Sequence, residues 1–152
     1  LRKVKAFDEF VVKPAIADKV SGKVFKASGG AIKLTKNKKS IWFLFEVIRR
    51  ESDWQKKLVD RMRQYKEFYE NFVPGDSNFQ SMPQLILDCE DEKHIVETFK
   101  EIVKNQLEIP QIKLLFTTDL RQNEEKLSDT LVGFKLVDSK YKMENEELKL
   151  LD

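Results

Sequence analysis

The 152-residue sequence carries 28 basic and 26 acidic side chains, a formal net charge of +2, and is 41% hydrophobic and 36% charged. That length fits one domain with a sizeable core. The near balance of charge excludes a nonspecific polycation but leaves room for a local basic face. One cysteine and one histidine exclude an internal disulfide, a cysteine-rich zinc site and a histidine cluster. Any metal would then be held by carboxylates, which favours Mg²⁺ or Mn²⁺.

The chain opens on LRKVKAFDEF, too charged for a signal peptide. Without an initiator methionine, it reads as cut from a longer protein. No apolar stretch approaches the roughly 20 residues that span a bilayer, and the lone Cys89 fits a reducing, cytoplasmic setting. Residues 7–20 read as a strand interrupted near Pro14. Residues 23–27 and 31–34 are short alternating segments around the turn signal Ser28-Gly29-Gly30. A basic turn, Lys36-Asn37-Lys38-Lys39, precedes the strong strand 41–48.

Ser52 is placed to cap the helix that follows, with Asp53 at its N-terminal dipole. Trp54, Leu58, Met62, Tyr65, Tyr69 and Phe72 recur at three- and four-residue steps and give one apolar face. Lys57, Asp60, Arg61 and Gln64 lie off it. Pro74-Gly75-Asp76 ends the helix. Residues 84–87 read as a buried strand, 91–105 as a helix and 111–117 as a strand. Residues 119–127 read as a short helix or a loop, and 131–136 as a final strand. The predicted division is one α/β domain over residues 1–137 and a charged tail over 138–152, frayed or helical. Antiparallel strands leading into a helix and crossover strands describe a mixed sheet flanked by helices. The restriction-endonuclease-like core has this order, as do other mixed folds.

Phosphodiester cleavage needs carboxylates around a divalent ion and a cation to stabilise developing charge. Glu46 closes the third strand and is the candidate metal ligand, with Asp18 as the second. Ile48 stands where a Glu-x-Lys motif needs lysine, so the cation must come from the helix, from Lys57 or Arg61. The opposing reading of Glu46 is a solvated strand end. Lys36, Lys38, Lys39, Arg49 and Arg50 are candidate phosphate contacts, or the solvated surface of a hairpin. Trp42 reads as a strand-core or partner-facing aromatic rather than a base-stacking one. The acidic run 88–92 reads chiefly as a helix cap. Cys89, beside four acids, is a poor nucleophile, and His94 reads as solvated on a helix surface. No glycine-rich phosphate loop is present.

KPAIADKV, a short hairpin, IWFLFEVIRRES and the helix QKKLVDRMRQYKEFY together resemble the plasmid replication-relaxation family. They also resemble related mobilisation relaxases with a restriction-endonuclease-like, PD-(D/E)XK fold. The later run PQLILDCEDEKHIVETFKEI, then IKLLFTTD, resembles the closing strand–helix–strand. The similarity covers residues 10–136 with short, degenerate motifs. Those proteins show Pro-Asp on one strand, Glu closing the next and a Lys-x-x-x-Tyr-like helix. Here Ala15 stands where Asp is expected, and Arg61 and Tyr65 take the helix positions. The resemblance implies binding to plasmid or mobile-element DNA, with other relaxosome proteins as further partners and Mg²⁺ or Mn²⁺ as cofactor if the site is catalytic. Ala15 points to an inactive site, and so to the alternative of a noncatalytic DNA-binding or protein-interaction accessory domain.

Overall fold

The computed structural model describes residues 9–13, 18–20, 23–36, 38–74, 79–118 and 131–145. Side-chain burial is described from Phe25 onward, except at Leu34 and Lys36. The first half contains β1 (Glu9–Lys13), β2 (Asp18–Val20), β3 (Lys23–Phe25), β4 (Ala31–Lys36) and β5 (Lys39–Val47). Then follow α1 (Trp54–Glu70), β6 (Gln84–Cys89), α2 (Glu92–Lys104), β7 (Leu115–Thr118), β8 (Val132–Val137) and β9 (Lys140–Asn145).

Among the described residues, seven strands form one sheet in the order β1-β4-β5-β6-β7-β8-β9, and β2 pairs with β3 apart from it. The central pairs β5–β6 and β6–β7 are parallel, and the flanking pairs are antiparallel. The coarse expectation of a mixed α/β sheet with helices is therefore met. Each parallel step needs a crossover, and right-handed crossovers in one direction put their helices on one face. Leu58, Met62 and Tyr65 of α1 and Ile95 and Ile102 of α2 share a core cluster with Leu44, Leu85, Leu87 and Phe116 of the sheet. Ile32, Phe43, Phe45, Ile86 and Leu115 form a second apolar cluster on the other face. The continuous apolar runs of β5 and β6 follow from this burial on both sides.

Three elements differ from the sequence-based expectation. The α1 helix is entered not through Ser52 but through Asp53, at φ 59° with no side-chain cap. The left-handed residue turns the chain sharply from β5 into the helix. Residues 111–114 form a turn rather than the start of β7. Part of the segment predicted as a charged tail is β9, whose six residues pair with β8 across the turn at Asp138 and Ser139. Its lysine-rich pattern masks a strand because an edge strand is half solvated and favours charge. Asp91 caps α2, accepting from the His94 amide at 2.7 Å. The short helix or loop expected over 119–127, and Ala15, lie outside the described residues. No helix of the described residues is long and apolar enough to cross a membrane.

Candidate functional site

Strand alternation points Leu44 and Glu46 toward the helices, so Glu46 occupies a core row beside Leu87 and is 3% exposed. A carboxylate in such a place must be hydrogen-bonded. Its Oε1 accepts from the Tyr65 hydroxyl at 2.6 Å, Arg61 Nη2 at 2.8 Å and the Ser28 amide at 3.2 Å. Its Oε2 accepts from Arg61 Nε at 3.1 Å. Two elements supply these donors. Arg61 and Tyr65 lie one turn apart on α1, and Ser28 lies in the turn between β3 and β4.

That turn is tied to β5. The Gly29 amide donates to the Phe45 carbonyl at 2.7 Å, and Ser28 Oγ accepts from the Val47 amide at 2.8 Å. A Cβ on Gly29 would stand 2.8 Å from Phe45 Cβ and 2.9 Å from its carbonyl oxygen, so only glycine fits there. The guanidinium of Arg61 also donates to the Lys26 carbonyl and lies over the rings of Phe25 and Tyr65, 4.9 and 5.4 Å from their centroids. Burial opposes the charge on Arg61, but the hydrogen bonds and charge of Glu46 raise its pKa above the ordinary value. Burial, followed by the charge of Glu46, pushes the Tyr65 hydroxyl well above the usual range. Tyr65 is therefore a fixed donor at neutral pH.

A cavity of about 450 Å³ opens beside this cluster, between the end of β5 and the first half of α1. Glu46, Lys57 and Arg61 all line it, with Glu51, Asp60, Arg49 and Trp54. The structure therefore brings the three catalytic candidates to one cavity, but only Arg61 bonds to Glu46. Lys57 is exposed and pairs with Glu51 at 3.3 Å. Asp18 lies on β2 opposite Phe25, and its side chain is outside the described residues. Among the described residues, no group of three His, Cys, Asp or Glu is arranged to hold a metal. Glu46 faces N–H and O–H donors and a guanidinium, whereas Mg²⁺ or Mn²⁺ needs a shell of oxygen donors. Among the described residues, the surroundings of Glu46 do not fit the ion.

The DNA-binding candidates fall at two opposite ends of the sheet. Lys38 and Lys39 are exposed at the β4–β5 turn, and Lys36 pairs opposite Lys39. Seven residues of extended strand separate Lys39 from Glu46, roughly 23 Å. Arg49 and Arg50 lie at the Glu46 end and grip groups of their own chain. Arg49 donates to the carbonyls of Ile48 and Asp88 at 2.9 and 3.0 Å, with Asp88 Oδ2 at 3.8 Å. Arg50 binds both oxygens of Asp91 at 2.9 and 3.0 Å and Glu97 at 3.2 Å. The Asp91 hydrogen bond leads the causes that raise the Arg50 pKa further. The same pairing lowers Asp91 to about 2. Among the described side chains, Lys38 and Lys39 therefore do not share one basic face with Arg49 and Arg50.

His94 is a correction: it is fully buried, not solvated. Its Nδ1 accepts from the Glu90 amide at 3.1 Å, and its ring stands perpendicular to Trp54 with centroids 4.8 Å apart. Burial, then Arg50, lowers its pKa. Cys89 is inert, as expected, but chiefly because burial raises its thiol to about 12. Trp42 packs edge-on against Phe79. The Ser28 amide and the Phe25 ring were not foreseen as parts of the site, and only the glycine pair beside them signals a close approach. Comparison with protein-family models, curated proteins and solved structures finds no match to the chain.

Proposed function

We propose that this chain is a DNA-binding domain of a mobile-element relaxation or mobilisation protein. In this reading it has a restriction-endonuclease-like scaffold and acts as a noncatalytic accessory module. Two features support the resemblance. Antiparallel strands precede a helical crossover into parallel strands, and Glu46 at the end of β5 meets the x-x-x-Tyr helix through Arg61 and Tyr65. The observation that carries the noncatalytic reading is the saturation of Glu46 by four donated hydrogen bonds. A carboxylate so occupied holds α1 and the β3–β4 turn onto the sheet. The exposed Lys38 and Lys39 supply the phosphate contacts.

The test uses the purified chain with a fluorescent duplex and with supercoiled plasmid in Mn²⁺. Duplex binding that weakens steeply with salt and falls in the Lys38→Glu, Lys39→Glu double variant, without nicking, is the expected result. Failure to bind any DNA at low salt overturns the reading. A metal-dependent nicking enzyme is the second reading, favoured by the convergence of Glu46, Lys57 and Arg61 on one cavity. Nicking that disappears in Glu46→Gln would establish it. Nicking that appears only in Ala15→Asp would mark position 15 as the lesion.

A further inference from the structure

A second cavity, of about 410 Å³, lies at the far end of the sheet from Glu46, between α2 and the β8–β9 hairpin. Its walls are aromatic. Phe99 and Phe134 stack with centroids 3.9 Å apart and planes within 4°, and Tyr141 meets Phe99 edge-on at 4.9 Å. Tyr141 is 48% exposed and lines the cavity. Lys100, Lys104 and Lys140 line the same opening. Among the described residues, none of the three forms an ion pair.

We propose that this cavity seats an unpaired base of single-stranded DNA, stacked on the aromatic wall, with the flanking phosphates on Lys100, Lys104 and Lys140. Every base has a flat face that stacks on aromatic rings without regard to sequence. Duplex DNA keeps its bases inside the helix and offers none to such a cavity. The cations favour phosphate over the carboxylates of an acidic peptide. Among the described residues, the two-point grips on carboxylates are arginine forks, at Arg50 and Arg61, and the lysine pairs Lys57–Glu51 and Lys113–Glu144 are single contacts. The cavity carries only lysines, compact charges suited to single phosphate oxygens. Lys100 and Lys104 are one helical turn apart and project side by side. Lys38 and Lys39 stand at the same end of the sheet, three strand spacings from β8, about 14 Å laterally. One strand could therefore pass from the cavity to the β4–β5 turn.

The inference rests on the DNA-binding reading, and its test separates the two. Fluorescence anisotropy of an oligothymidylate of about 12 residues is compared with a duplex of equal length and with a Glu/Phe-rich peptide. Tyr141→Ala is expected to weaken oligothymidylate binding roughly tenfold, with Tyr141→Phe close to the parent. The Lys100→Glu, Lys104→Glu double variant is expected to weaken it too and to flatten its salt dependence. Urea melts of each variant exclude unfolding as the cause. Unchanged affinity in Tyr141→Ala and the lysine variant overturns the proposal, as does tighter binding of the peptide. Duplex binding that depends on Lys38 and Lys39, with no oligothymidylate binding, sinks the cavity and leaves the DNA-binding reading standing. No binding of either DNA sinks both.

Discussion

The two ends of the parallel strands treat charge in opposite ways. At the end where β5 enters α1, Arg49, Arg50 and Arg61 each hold an acid or carbonyl of their own chain. At the other end, lysines surround aromatic rings with no carboxylate paired to them among the described residues. Arginine forks held against carboxylates fix geometry. Solvated lysines with no internal partner fix nothing in the fold and remain open to an external anion. The first end therefore looks built for stability and the second for contact, although the first holds the residues that look catalytic in the sequence.

The sharpest way to break this contrast is at Glu46. Glu46→Leu strands the half-buried Arg61 guanidinium and the Tyr65 hydroxyl. Loss of one partner from such a pair costs about 3 kcal/mol, the lower end of the usual range because the Arg61 side chain keeps 27% exposure. Urea unfolding measures it, and a loss under about 1 kcal/mol would show that the cluster is not structural. Tyr65→Phe removes one hydrogen bond to a charged acceptor and is expected to cost about 2 kcal/mol in the same assay. Gly29→Ala pushes a methyl into the Phe45 backbone. It should cost about 1–2 kcal/mol and shift the Ser28 amide resonance as its bond to Glu46 lengthens.

Acid sharpens the contrast further, because the arginine-rich end is the pH-sensitive one. Asp91 is depressed from 3.8 to about 2 when folded. Its contribution is complete above pH 3.8 and is lost as pH falls toward 2. The buried His94 has a pKa lowered from 6.5. The unfolded chain therefore binds the proton first, and stability declines as pH drops below 6.5. Urea midpoints against pH should fall in both windows. Arg50→Ala should flatten the lower one, and lysine variants at the far end should change neither. The smallest effect belongs to Lys57→Ala. Its pair with Glu51 is 63% and 67% exposed, and exposed pairs contribute under about 1 kcal/mol.

Local pattern reads well where burial has one period. The apolar face of α1 from Leu58 to Tyr69 appears as written because it packs against one core, and the run of β5 because it is buried on both faces. Arg61 sits off that apolar face by spacing alone and is nonetheless half-buried, because β3 brings Phe25 beneath it. The β9 strand hides behind its lysines, and His94 behind the acids of its own turn.

The sequence by itself determines the order of elements from β4 to β7, the polar end of β5 at Glu46 and the scarcity of histidine and cysteine ligands, because propensity and periodicity act over a few residues. Only the tertiary structure decides what Glu46 does. Its donors lie 15, 18 and 19 residues away, and no local rule reports whether they converge. Long-range pairing likewise decides that Lys140 and Tyr141 of β9 wall an aromatic cavity with α2.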